Sequence, residues 1–264
     1  LFRIEDLWND TRANANIISI LQGYSDPRLE RWFATNNADI YSTDDELSPV
    51  VEKATKYLGV RQGVPMTRTE YQGYSKTSRV GIPEQGPRPV LRVAEAYFLR
   101  AEGMLSNWNM GDGTPESLYN EGIHSAWASV LGDESGWAGT YESYINGFIN
   151  TEEGGDFDWE LFEGGFGSAP YINYRNQEYN YYIEENGKQV GINRISVRWH
   201  DEDSPEKKLQ RIITQKWISF FPTLSSGAWT EYRRTGYPKL IPIPSDLNYS
   251  NGAIDTELQI RRLP

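Results

Sequence analysis

The sequence contains no cysteine. That removes disulfides, thiolate metal ligands and cysteine nucleophiles together. It has only two histidines, His124 and His200, and no G-x-S-x-G turn or other nucleophile signature accompanies either. Phosphate-cradling glycine loops and dinucleotide fingerprints are missing as well. No apolar run approaches the ~18 residues that a membrane-spanning helix needs. Basic residues are outnumbered, 26 Lys+Arg against 37 Asp+Glu for a net charge of −11, and they form no block. Nucleic acid and anionic membrane surfaces are therefore poor partners. The chain opens at Leu1 without a methionine or a secretory pattern, and closes at Arg261-Arg262-Leu263-Pro264. These ends read as those of a processed or partial chain.

What the sequence does have is aromatic residues: 9 Trp, 17 Tyr and 9 Phe, 13% of 264 residues. Acidic disordered chains are poor in such rings, so a folded chain with a sizeable core is expected.

Helical periodicity divides the chain. Ile4, Leu7, Trp8, Ile17, Ile18 and Leu21 lie along a segment that stops near Gly23, and Asp26-Pro27-Arg28 offers a cap and first residue for a short helix through Trp32-Phe33. Residues 1–35 are thus read as helices. From 36 to 89, alternating Gly and Pro predict a long loop, and Tyr41, Tyr57, Tyr71 and Tyr74 suit an ordered platform within it. Residues 90–132 predict a helical hairpin. Val90, Ala94, Tyr97, Phe98, Ala101 and Leu105 form one apolar stripe; after a turn at 109–113, Thr114-Pro115 starts a helix lined by Tyr119, Ile123, Ala126, Trp127 and Val130 and ended by Gly132. Val93-Ala94-x-x-Tyr97 has the spacing of a tetratricopeptide first helix.

Residues 133–203 read as loops around a small β element. Asn186-Gly187 after Tyr181 to Glu185 signals a hairpin, and Ile195, Val197 and Trp199 alternate as a strand does. In 204–264, Ser204-Pro205 starts a helix with the face Leu209, Ile212, Ile213, Trp217, Phe220 and Phe221, stopped by Pro222. Residues 228–235 supply its partner helix, followed by a tail. The fold class expected is mainly α: helical hairpins carrying long irregular loops and a small β-hairpin.

Candidate chemistry is sparse. Asp156, Asp158 and Glu160 alternate in an aromatic stretch and provide the two carboxylates that glycoside hydrolysis needs, although a solvated acidic loop looks the same. Asn107, Asn109 and Asp112 superficially resemble a calcium loop, but Asp112 stands at the sixth position where Gly is required, and no Glu closes it. Asp44-Asp45-Glu46 and Glu152-Glu153 lack ligand spacing. No metal or cofactor is expected. The aromatic loops are the remaining asset: Trp and Tyr faces stack on sugar rings or apolar peptide side chains at low entropy cost.

Leu91-Arg92-Val93-Ala94-Glu95-Ala96-Tyr97-Phe98-Leu99-Arg100-Ala101-Glu102-Gly103 resembles the hallmark helix of the SusD/RagB-like outer-membrane lipoproteins, and Leu118-Tyr119-Asn120-Glu121-Gly122-Ile123 resembles the helix after it. Gln215-Lys216-Trp217-Ile218, Phe221-Pro222, Ala228-Trp229 and Arg233-Arg234-Thr235-Gly236-Tyr237-Pro238 are similar to the C-terminal block of a SusD-like branch; Asp26-Pro27-Arg28 also fits. The resemblance spans nearly the whole chain and implies tetratricopeptide-like helix pairs as scaffold. Family members are longer, so 1–264 corresponds to a C-terminal portion, and the N-terminal half is an expected partner. The resemblance further implies a non-enzymatic, lipid-anchored protein of the outer-membrane surface. Such a protein binds oligosaccharides, or oligopeptides in some members, for a SusC-like TonB-dependent transporter. It fixes no ligand residue. From the loop before Val90, the residues expected at the ligand surface are Tyr71, Tyr74 and Arg79, with Trp32 and Tyr57 beside them. A surface glycoside hydrolase is the rival from another class.

Overall fold

Two helices begin where the sequence provides both a cap and a proline. At Thr114 the side-chain oxygen accepts from Ser117 N at 3.1 Å while Ser117 Oγ accepts from Thr114 N at 2.8 Å, and Pro115 takes the first helical position. This reciprocal pairing satisfies two amides that the first turn cannot use. At Ser204 the hydroxyl accepts from Lys207 N at 3.3 Å and Pro205 follows.

The computed structural model describes residues 11–35, 57, 59–60, 89–146, 182–185, 188–191 and 195–240. In chain order these contain α1 (Ala15–Gly23), α2 (Arg28–Trp32), α3 (Val93–Leu105), α4 (Pro115–Leu131), a 3-10 turn (Glu134–Gly136), α5 (Ala138–Ile145), β1 (Tyr182–Glu185), β2 (Lys188–Gly191), α6 (Pro205–Phe220) and α7 (Ser225–Thr235). The chain divides into two compact units, Leu1–Gln85 with Asp158–Arg194 and Leu240–Ile260, and Gly86–Phe157 with Ile195–Lys239 and Arg261–Pro264.

In the first unit, α1 is clamped at its start by a parallel bridge between Asn14 and Val60. Ala15 N donates to Val60 O at 2.8 Å and Val60 N to Ala13 O at 2.7 Å. Gly59 permits this approach, since a Cβ there would stand 2.6 Å from Ala15 Cα. β1 and β2 pair antiparallel with Glu185 opposite Lys188, so the two residues Asn186 and Gly187 separate them as the dipeptide predicts.

The second unit is a helix assembly. α3 and α4 lie against each other, α6 packs across both, and α7 packs on α6. A close approach is at Gly122 of α4, whose absent side chain is replaced by the fully buried Phe98 ring of α3. A Cβ at Gly122 would stand 2.6 Å from Phe98 Cε1. Between α6 and α7, Lys216 is 1% exposed and its Nζ lies 3.0 Å from Glu231 Oε1. Glu231 also holds Arg234 at 2.6 Å, and Arg234 reaches Glu102 of α3 through both guanidinium Nη atoms. One chain of charges thus joins three helices.

Several expectations are corrected. Val90 lies before the start of α3 and is 94% exposed, not part of the apolar stripe. α1 begins at Ala15; of the earlier apolar residues, Ile4, Leu7 and Trp8 lie outside the described residues. α2 starts one residue later than read, with Pro27 as its cap position and Asp26 Oδ1 accepting from Arg28 N at 3.0 Å. α5 stands where loops were expected, because Tyr141 and Tyr144 bury against Trp127. Ile195, Val197 and Trp199 are buried as the alternation predicts, yet they form no strand. Their backbone is instead held by Tyr119 Oη donating to Val197 O at 2.7 Å and Arg211 donating to Ser196 O. Trp217 is only half-buried; Ile218 takes the interior place.

The Gly122 contact yields a test. Gly122→Ala should lower stability by about 1–3 kcal/mol through overpacking, read as the shift of a urea or thermal transition. Adding Phe98→Leu should recover part of that loss. An unchanged transition in the single variant would show that Phe98 does not occupy this space.

Candidate functional site

Of the residues expected at the ligand surface, Tyr71, Tyr74 and Arg79 lie outside the described residues. Trp32 and Tyr57 are described and both are buried, at 1% and 6% exposed. Trp32 closes α2, and the Arg28 guanidinium carbon stands 5.5 Å from its ring centroid. Arg28 is wholly buried and neutralised by Asp26, with Nε to Oδ1 at 2.9 Å and Nη2 to Oδ2 at 2.6 Å. An aromatic face beside a desolvated, paired guanidinium is well satisfied in place. Tyr57 lies three residues before Val60, which bridges to Asn14.

Of the groups weighed for chemistry, the described ones are held by other side chains or by the backbone. His124 lies among Trp137 and Tyr141, each 5.2 Å away between ring centroids, with Nε2 3.3 Å from Glu134 Oε1. Trp127, Trp137, Tyr141 and Tyr144 continue that cluster in tilted and edge-on contacts, the arrangement ring quadrupoles favour. Trp137, a loop aromatic by sequence, is thereby a core residue. Burial, reinforced by the charges of Glu121, Glu142 and Glu134, pushes the Tyr141 phenol up. Its hydroxyl donates to Asn120 O at 2.8 Å. His200 Nδ1 stands 3.3 Å from Glu202 Oε1 on the surface. Around Asn107, Asn109 and Asp112 a cation already occupies the carbonyl oxygens: Arg100 donates through Nε to Met110 O at 2.9 Å and through Nη2 to Asp112 O at 2.7 Å. Among the described residues, no group of three His, Asp or Glu could hold a metal ion. Asp156, Asp158 and Glu160 lie outside them.

Among the described residues two tryptophan rings are exposed, Trp108 at 68% and Trp229 at 55%. Trp229 stacks on Tyr232 at 6.1 Å with the Arg233 guanidinium 5.7 Å from its ring. Periodicity assigns apolar residues to faces and carries no warning that a tryptophan near a helix end stays outside. The segment before α6 is shaped by charge. Arg211, nearly buried, donates to Ser196 O and Oγ and to Asp203 Oδ2 at 2.6 Å.

The described residues of the second unit thus form a helical scaffold in which Arg211, Lys216, Glu231, Arg234 and Glu102 hold elements together. The chain matches the SusD-like family, described as Susd and RagB outer membrane lipoprotein, over residues 1–145 and 165–264. It belongs to that family. A chitin-binding SusD homologue from Flavobacterium johnsoniae is 33% identical over 99% of this chain and 44% of its own, with a TM-score of 0.68. A SusD homologue from Bacteroides thetaiotaomicron is 28% identical over 99% and 45%, TM-score 0.67. One from Bacteroides vulgatus is 31% identical over 97% and 43%, TM-score 0.65. The chain therefore spans less than half the length of these solved relatives. No match is found among curated proteins.

Asp203 gives a pH-dependent test of the strap it anchors. Burial alone would raise its carboxyl, but hydrogen bonds and charge from Arg211, then Lys207, hold it below the ordinary value. A carboxylate lowered on folding stabilises the fold above its unfolded pKa of about 3.9, and that contribution is lost as pH falls through the folded value. The stability difference between the unaltered chain and Asp203→Asn should be constant near neutrality and shrink below about pH 4. Denaturant transitions at a series of pH values measure it; a difference that holds at pH 3 refutes the assignment.

Proposed function

We propose that this chain belongs to a cell-surface protein that binds oligosaccharides for import and catalyses no reaction on them. The observation that carries this reading is 33% identity, over 99% of the chain, to a SusD homologue described as chitin-binding. The family's description as an outer membrane lipoprotein supports a place at that membrane. In this reading a lipid anchor outside this chain holds the protein there, and a SusC-like TonB-dependent transporter receives the ligand. The wealth of Tyr and Trp suits sugars, whose apolar C–H faces stack on flat rings while their hydroxyls hydrogen-bond around the edge. An acidic chain with net charge −11 suits neutral rather than anionic ligands.

Within this proposal Tyr71, Tyr74 and Arg79 contact the ligand, the tyrosines by stacking and the arginine by paired hydrogen bonds. Trp32 and Tyr57 are buried, so they reach a ligand only if the residues over them move.

Calorimetric titration with chitohexaose, maltoheptaose, xylohexaose and cellohexaose, beside a panel of oligopeptides, is the direct test. Binding of at least one sugar is expected, without release of reducing ends. Tyr71→Ala and Tyr74→Ala should each weaken it by roughly 1–3 kcal/mol at unchanged melting temperature. Loss of several degrees with full affinity would move the site elsewhere. Peptide binding without sugar binding would replace glycan by peptide. Turnover that disappears in Asp158→Asn would replace the binding protein by a glycosidase.

A further inference from the structure

The end of α3 has the hydrogen bonding of a helix terminus that ordinarily hides one apolar side chain. Trp108 N donates to Gly103 O and Asn107 N to Met104 O, both at 3.0 Å, with Asn107 in the left-handed region at φ 58°. In this motif the residue at the Trp108 place usually packs on the side chain at the Gly103 place. Here Gly103 has none. The space beyond it is filled by Met110, whose Sδ would stand 2.7 Å from a Cβ built on Gly103. The indole cannot fold back, and it projects at 68% exposure.

The turn that presents it is stiff. Arg100 ties down the carbonyls of Met110 and Asp112, Asn109 Oδ1 accepts from Gly111 N at 3.2 Å, and the Thr114–Ser117 box fixes the exit into α4. A rigid ring on a fixed turn loses little freedom when it binds. Its exposed neighbours Ser106, Asn107 and Asn109 are neutral hydrogen-bonding groups, and Asp112 is the one charged residue of the turn 106–113. Of the other exposed apolar residues around α3, Val90, Leu91 and Val93 sit at its opposite end, about 18 Å from Leu105 at the helical rise per residue, and Leu99, 43% exposed, lies about 9 Å before Leu105. Trp108 is therefore not the centre of an apolar patch of the kind a protein partner covers.

We propose that the α3–α4 turn is an additional saccharide site, in which Trp108 stacks on one ring of a neutral oligosaccharide and the amides of Asn107 and Asn109 meet its hydroxyls. This inference rests on the glycan-binding reading above. It deepens that reading by assigning a ligand contact to the α3–α4 turn, in addition to Tyr71 and Tyr74.

The test uses the chain labelled with 5-fluorotryptophan, with Trp108→Phe identifying the Trp108 resonance in the fluorine spectrum. Titration with the same four oligosaccharides, followed by calorimetry in parallel, should move that resonance along a saturating curve. Tyr71→Ala should leave this curve in place, whereas Trp108→Ala should lose the matching calorimetric component, roughly a tenfold or greater drop in affinity, with its melting temperature unchanged. A sugar that binds by calorimetry while the Trp108 resonance stays still overturns this site and leaves the glycan reading intact. Failure of all four to bind by either method overturns both. A resonance that responds to protein concentration and to no sugar makes the turn a contact between copies of the chain, which also overturns the proposal.

Discussion

A buried lysine sets the terms for the helix assembly. Lys216 is nearly inaccessible to water, and an ammonium in that position is tolerated only if a counter-charge is fixed beside it. Glu231 supplies the charge from α7, Arg234 bridges the same carboxylate to Glu102 of α3, and the Phe220 ring lies 5.9 Å from the lysine nitrogen. Removing one partner of such a buried pair leaves the other charge uncompensated, which is strongly destabilising. α7 must place Glu231 within reach, or the lysine is left buried and unpaired.

The remaining contacts follow from that placement. With α6 fixed, Gln215 reaches Tyr144 at 3.0 Å and ties α5 to the assembly, and Arg211 gathers Ser196 and Asp203 so that 195–203 lies along the helices. Tyr119 of α4 caps that segment from the other side. The hydrogen bonds of a segment with no ladder partner are thus supplied by side chains, as the satisfaction of buried backbone groups demands.

What the sequence makes legible is local. Thr114-Pro115 and Ser204-Pro205 mark helix starts because cap and proline act within one turn, and Asn186-Gly187 marks the β-hairpin because only such pairs fit its two-residue connection. What it hides depends on distant residues. α5 is poor in strong helix formers and exists because Trp127 receives Tyr141 and Tyr144. Ile195 to Trp199 have strand alternation but a side-chain-held backbone. Lys216 reads as a surface residue until Glu231 is seen opposite it. The site is legible only as chemistry: the family motifs are scaffold helices, and Tyr71, Tyr74 and Arg79 belong to a segment with no periodicity from which to derive position.

The fit of Phe98 into Gly122 has a mechanical consequence. A ring seated where a neighbouring helix has no side chain allows one axial setting of the pair. A slide of one turn, about 5.4 Å, would bring Phe98 against Leu118 or Ala126 in place of the glycine. The hairpin of α3 and α4 is in effect keyed against translation, so it can transmit a displacement only by moving as a solid lever.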